Sequence, residues 1–221
     1  DEPVAANSTI NDSSTSGTSS EGRLRILAIE PYYGLSHRTF LEGYQRFSTH
    51  SVEVWSLPPR AWKWRMRGAV YHFVEMAERI DPRETPHVIL ASDYLNVSDW
   101  RALAPKRLRD VPVAIYFHEN QLSYPLADDA PIDHQFGWIN LSSALTADLV
   151  LFNSEFHRQE FLHAVDQGLR RMPDYVPQGV ASRLDAASGV FPVGIDFEPH
   201  REVLARPLQR NASSPVILWN H

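Results

Sequence analysis

The stretch LRILAIEPYYGLSHRTFLEGYQRF, residues 24–47, decides the fold. Its opening, Leu24–Ile29, is a short apolar run suited to a strand buried on both faces. Glu30–Ser36 breaks that run with proline, glycine and serine. Thr39, Phe40, Tyr44 and Phe47 then recur at helical spacing. The unit is strand, polar loop, helix, and it repeats. Val52–Leu57 reads as a second strand stopped by Pro58 and Pro59, and Ala61–Ile80 as a long helix ending before Pro82. Val88–Ala91 and Val113–Phe117 read as the third and fourth strands. Phe136–Ala147 is a helix feeding a fifth strand, Leu149–Phe152; His157–Leu169 is helical, and Val190–Val193 is a sixth strand.

Strands alternating with helices make βαβ units, so the expected fold is an α/β, Rossmann-like, doubly wound and mostly parallel sheet over residues 23–196. Ligands of such sheets bind beyond the carboxyl ends of the strands, near the topological switch point. On either side the composition changes. Residues 1–22 are mostly Ser, Thr, Asn, Asp and Gly and cannot offset the entropy of ordering, so a disordered tail is expected. Residues 197–214 read as a linker. Val216–Trp219 starts another apolar strand, so residues 215–221 are expected to open a second domain, with the chain a portion of a longer protein.

The composition narrows the function classes. At 43% hydrophobic content the 221 residues suffice for one ordinary domain. A net charge of −6 argues against coating nucleic acid through bulk charge, though not against a local basic patch. The absence of cysteine excludes disulfides and thiolate metal sites. No apolar run spans a bilayer and no signal-peptide pattern opens the chain, so no membrane partner is expected. Asn-X-Ser/Thr triplets at Asn7, Asn11, Asn96, Asn140 and Asn211 are read as chance matches. There is no P-loop and no serine nucleophile elbow, and none of the ten histidines has zinc spacing, so no metal site is expected.

Four segments carry candidate chemistry. In the first loop, Gly34 lets backbone approach a ligand and Ser36 is placed to cap the next helix, whose N–H groups favour phosphate; an ordinary β–α turn explains the same residues. The fourth strand ends in His118, Glu119, Asn120 and Gln121, a polar cluster costly to bury without a partner and placed on the ligand-binding edge. Asp93, after the third strand, suits either that edge or the start of a turn. Arg60, Lys63, Arg65 and Arg67, interleaved with Trp62 and Trp64, form the one basic and aromatic patch. It fits RNA, and taken alone it fits better an amphipathic helix start with its tryptophans in the core.

Taken together, EPYYGLSHRTF (30–40), LPPRAWKWRMRG (57–68), ASDYLN (91–96), YFHENQLSYP (116–125), FNSEFHRQEFL (152–162) and RMPDY (171–175) resemble the N-terminal domain of the tRNA-queuosine α-mannosyltransferases, and more broadly the retaining family 4 glycosyltransferases of GT-B architecture. ILWNH (217–221) is similar to the start of that family's donor domain. The resemblance implies mannose transfer from GDP-mannose to queuosine in a tRNA anticodon, with retention and without a metal or further cofactor. It assigns Gly34, Ser36 and His37 to the donor diphosphate, and His118 to the donor sugar as the catalytic residue. Asp93, Glu119, Asn120 and Gln121 would line the acceptor pocket. Arg60, Lys63, Arg65 and Arg67 would meet tRNA, and residues 193–196 would lead into the linker. Leu35 stands where a second glycine is more usual, implying a stiffer loop. A cytoplasmic and also nuclear location is expected. Two alternatives stay open: a non-catalytic RNA-binding or regulatory module, and a GT-B glycosyltransferase with a lipid or glycan acceptor. His118→Ala is expected to cost turnover and little stability, as a residue at a cleft rim.

Overall fold

A computed structural model describes residues 22–124 and 133–206. Six strands, β1 (Arg25–Glu30), β2 (Ser51–Ser56), β3 (Val88–Ser92), β4 (Val113–Phe117), β5 (Leu149–Phe152) and β6 (Ser188–Val190), form one sheet in the order β2-β1-β3-β4-β5-β6. Every pairing is parallel; Ile29, for example, sits beside Trp55 on one side and Ala91 on the other. This is the Rossmann-like α/β sheet anticipated from the β–α repeat. The chain winds outward from β1 to β2, crosses back to β3 and continues the other way. The switch point therefore lies between β1 and β3.

The four inner strands, β1, β3, β4 and β5, read as apolar runs because helices cover both faces. Ile26, Leu27, Ala28 and Ile29 are all buried, as are Val113, Ile115, Tyr116 and Phe117. The main core joins Leu27, Ile29, Val113, Ile115 and Phe117 to Phe73 on α2 (Trp62–Arg79), Trp100 on α3 (Val97–Leu103), and Phe152 and Phe161, the latter on α6 (Glu155–Arg170). Each such ring, fully withdrawn from water, contributes about 2–3 kcal/mol.

Caps fix where the helices start. Asn96 accepts from Asp99 N at the start of α3, Asp133 from Gln135 N at α5 (His134–Thr146), and Ser154 from His157 N at α6. These caps start α5 and α6 two residues before the apolar periodicity does. The other helices are α1 (Leu35–Phe47), α4 (Lys106–Arg109), α7 (Val180–Ala186) and α8 (Arg201–Leu204).

Several expectations need correction. α3, α4 and α7 are one or two turns long, too short to show a period. The sixth strand runs Ser188–Val190 rather than Val190–Val193, and residues 191–197 lie outside any helix or strand. The 197–214 stretch opens with helical turns at Glu198–His200 and α8. Of the glycosylation triplets, Asn140 is fully buried and Asn96 is a helix cap, while Asn7, Asn11 and Asn211 lie outside the described residues. The 1–22 tail, but for Gly22, and the strand Val216–Trp219 lie outside them too.

Candidate active site at the switch point

The residues that follow β1, β3 and β4 converge at the carboxyl edge of the sheet. Glu30, the last residue of β1, is completely buried. Its Oε1 accepts from Tyr32 N at 2.7 Å and from Ser92 Oγ at 3.1 Å, a bond that spans the switch point from β1 to β3. Its Oε2 accepts from His37 Nδ1 at 2.9 Å. The His37 ring lies 4.0 Å, centroid to centroid, from that of His118 just past β4. His118 also meets Phe40 and Tyr116 edge-on at 5.1 and 4.8 Å.

The two imidazoles are shifted in opposite directions. Burial alone would lower the pKa of His37, but the hydrogen bond and charge of Glu30 outweigh it, with Asp93 and Glu119 adding, and the net shift is upward. His118 has no such carboxyl partner. Burial, then repulsion from His37 and His157, takes it down to about 3, so its ring is neutral at physiological pH. Among the described residues its ring nitrogens make no hydrogen bond, which leaves a neutral donor–acceptor group at the edge. The donor atoms of Glu30, His37 and His118 all lie within 4.8 Å of one another, close enough to share a cation, although the Glu30–His37 hydrogen bond already engages two of them. Spacing along the chain could not show this trio, because each residue comes from a different element.

Asp93 lies beneath His118 rather than in an open pocket. It is 2% exposed, its Oδ1 accepts from His118 N at 3.0 Å, and its carbonyl accepts from Asn140 Nδ2 at 2.9 Å. Burial, opposed by His37 and reinforced by Glu30, raises its pKa to about 8. Asn120 is likewise turned inward. Its Oδ1 accepts from Leu122 N and Ser123 N, while its Nδ2 donates to His157 Nε2 at 2.9 Å. These two residues, expected in the acceptor pocket, instead fix the loop that carries His118. Glu119 and Gln121 stay half-exposed: Tyr94 Oη donates to Glu119 Oε1 at 2.8 Å and Gln121 Nε2 at 3.1 Å. Burial, then the Glu119 charge, pushes the Tyr94 hydroxyl well above the ordinary tyrosine range.

The first loop departs from expectation in two ways. α1 starts at Leu35 with Gly34 as its N-cap, so Ser36 is a helical residue and caps nothing. The first turn of α1 has neither a capping side chain nor an acidic residue. Gly34 is needed for a close approach to protein: a Cβ there would sit 2.5 Å from Pro59 Cγ and 2.6 Å from Pro59 Cβ. Leu35 holds left-handed backbone at φ 48°, a strain of about 1–2 kcal/mol, with its side chain in solvent. The chain thus takes at Leu35 the conformation that glycine adopts freely.

The basic patch divides. Arg65 is fastened to Pro58 O, and Arg67 to Gln135 Oε1 and Asp133 Oδ2, with its guanidinium 4.5 Å from the Phe136 ring centre. Arg60 and Lys63 are exposed. Trp62 packs against Phe136 at 4.9 Å, within a small cluster of Met66, Tyr94 and Phe136, whereas Trp64 is 71% exposed. The sequence reading missed Glu30, Ser92, Tyr94 and His157. Only Glu30 left a signal, as an acidic residue ending an apolar strand.

A Rossmann-like domain of this topology is of the doubly wound class, whose ligands bind at the edge where these polar residues gather. The particular family follows from comparison. A family model described as tRNA-queuosine alpha-mannosyltransferase N-terminal matches residues 25–195, and the chain belongs to that family. It is 35% identical over 181 residues to a tRNA-queuosine alpha-mannosyltransferase of Drosophila melanogaster, covering 80% of this chain and 47% of that relative. The chain spans about half of that relative's length. Among solved structures it is similar to Arabidopsis thaliana UGT89C1, crystallised with UDP, at a TM-score of 0.42 and 16% identity, over 83% of this chain and 55% of that one.

Proposed function

We propose that the chain is the acceptor-side half of a retaining, metal-independent glycosyltransferase of GT-B architecture that moves mannose from GDP-mannose to queuosine in tRNA. One observation carries the reading: the Glu30–His37–His118 cluster sits at the switch point, inside the stretch matched by the family.

Each residue has a physical task in this reaction. Retaining transfer develops positive charge on the sugar and negative charge on the departing diphosphate. The uncapped first turn of α1, with the N–H groups of Ser36 and His37, presents positive partial charge to that diphosphate. His37, whose pKa Glu30 raises, adds a positive hydrogen-bond donor beside it when protonated. His118 stays neutral and offers its ring to the sugar hydroxyls, so that it orients the donor without opposing the charge that builds at the anomeric carbon. Glu119 and Gln121 face the acceptor. Arg60 and Lys63 meet the RNA backbone, while Arg65 and Arg67 shape that surface from within.

The test is transfer by the full-length protein, offered GDP-mannose, other nucleotide sugars, and tRNA with and without queuosine. Mannose on queuosine-containing tRNA alone is the expected result. Transfer only to a lipid or glycan would move the protein to another acceptor class, and tRNA binding without any transfer would leave a binding module.

A further inference from the structure

Helix α2 begins against electrostatic preference. Its first turn holds no acidic residue, and Lys63, Arg65 and Arg67 occupy its first two turns, where the helix dipole disfavours cations. Acidic residues come only later, at Glu75 and Glu78. Two of the basic side chains are consumed by the protein, as described above. The two exposed ones, Arg60 and Lys63, precede Trp64 and have no ion-pair partner among the described residues, although Lys63 Nζ lies 5.6 Å from the Trp62 ring centre. Trp64 stands beside them. It is 71% exposed, two residues from a packed Trp62, and contributes almost nothing to the core. Its indole face is open to a partner from outside the protein.

Trp62 touches Phe136; Phe136 and Met66 share a cluster with Tyr94; and Tyr94 donates to Glu119. The start of α2 therefore stands on the same packed unit as the acceptor-facing residues. Gly34 against Pro59 ties the loop before α2 to the loop before α1. Lys63 Nζ lies 5.7 Å from the Phe136 ring centre, so the exposed basic side chains begin on that same unit.

We propose that Trp64 is a stacking platform for an unpaired nucleobase of the RNA acceptor, with Arg60 and Lys63 holding the phosphates on either side. The inference rests on the tRNA reading above and adds to it the residue that grips a base. An indole face accepts any base, and cations beside it hold the backbone, the combination used for single-stranded nucleic acid. Tyr71, 56% exposed two turns along the same helix, has Glu75 one turn further on and serves as the internal control.

The experiment measures the affinity of the full-length protein for a labelled anticodon stem-loop RNA over a range of salt, for wild type, Trp64→Ala, Trp64→Phe, Tyr71→Ala and Lys63→Glu. Trp64→Ala is expected to bind about 10-fold or more weakly with an unchanged salt slope, because stacking releases no counterions. Trp64→Phe should recover most of the loss, Tyr71→Ala should stay near wild type, and Lys63→Glu should flatten the salt slope. Melting temperature should not move in Trp64→Ala, since the side chain is exposed. Wild-type binding with Trp64→Ala unaffected would overturn the platform and leave the tRNA reading standing. Failure of the wild type to bind RNA would remove both. Unchanged RNA affinity with a fall in melting temperature would make Trp64 a contact within the protein.

Discussion

Asp93→Asn tests how the site stores its protons. Asp93 is 2% exposed, and burial raises its pKa from 3.8 to about 8. The sign follows from linkage. A carboxyl whose native pKa lies above its unfolded value keeps its proton in the fold while the unfolded chain has lost it. Its stability contribution is complete below about pH 4, declines as pH rises, and levels off only when the native group ionises near 8. Each pH unit in that window costs about 1.4 kcal/mol. Asparagine has nearly the shape of the protonated acid, keeps the Oδ1 acceptor for His118 N, and does not titrate. The stability of Asp93→Asn relative to wild type should therefore grow by about 4 kcal/mol between pH 5 and pH 8, a large share of a typical domain's total. The assay is urea denaturation of both proteins at pH 5, 6, 7 and 8. The upward shift of His37 contributes the same sign of slope to both and largely cancels in the difference. A gap constant across that range, or a variant less stable at pH 8, would refute the argument.

Three further outcomes are expected. His118→Ala in the full-length enzyme should lower turnover by about 10²-fold or more, the size expected for loss of a polar group acting on the transition state. Because its ring packs against His37, Phe40 and Tyr116, the cost in stability should be about 1–2 kcal/mol, not the negligible figure suited to an open rim; parallel kinetics and melting curves separate the two effects. Gly34→Ala should drive a methyl into Pro59 and cost about 1–3 kcal/mol, with partial recovery in the double variant with Pro59→Ala, read by a double-mutant cycle. Asn140→Asp, which keeps the acceptor for Gln121 N but loses the donor to the Asp93 carbonyl, should destabilise by about 1–3 kcal/mol in chemical denaturation.

The fold was legible because buried parallel strands must be apolar along their whole length, so β1 and β3–β5 appear as runs bounded by polar loops. β6 was misplaced because a three-residue edge strand, Ser188–Val190, carries no such run, whereas the neighbouring Phe191 and Val193 are apolar without pairing. α3 and α7 were invisible for the complementary reason. The edge on which the site stands followed from topology, and His118 from its place after β4. The partition of roles within the cluster did not follow. Asp93, Glu119, Asn120 and Gln121 look alike as polar residues after strands, and only side-chain direction shows that Asp93 and Asn120 turn inward while Glu119 and Gln121 turn out. The basic segment posed the same difficulty: RNA surface and amphipathic helix predict one string of residues, and the structure shows both, with Trp62 packed and Trp64 exposed.

The missed residue, Glu30, explains why the histidines differ. A buried imidazole loses its proton unless a carboxyl holds it there, and the site supplies such a group to only one of two rings whose centres are 4.0 Å apart. Were both charged, repulsion in a water-poor site would separate them; were neither raised, the helix dipole would act alone on the leaving diphosphate of the proposed transfer. The bonds of Glu30 to Tyr32 N and Ser92 Oγ fix its carboxyl independently of His37, so the asymmetry is built into the sheet edge rather than induced by a ligand. In the proposed transfer, Glu30→Gln should thus act through His37, weakening diphosphate binding while leaving His118 in place. GDP affinity of the full-length protein, measured by calorimetry from pH 5 to pH 9, should fall as His37 loses its proton, and in Glu30→Gln that fall should come at lower pH, because the carboxyl that raises the His37 pKa is gone. An equal pH response in both proteins would show that the charge at His37 is not set by Glu30.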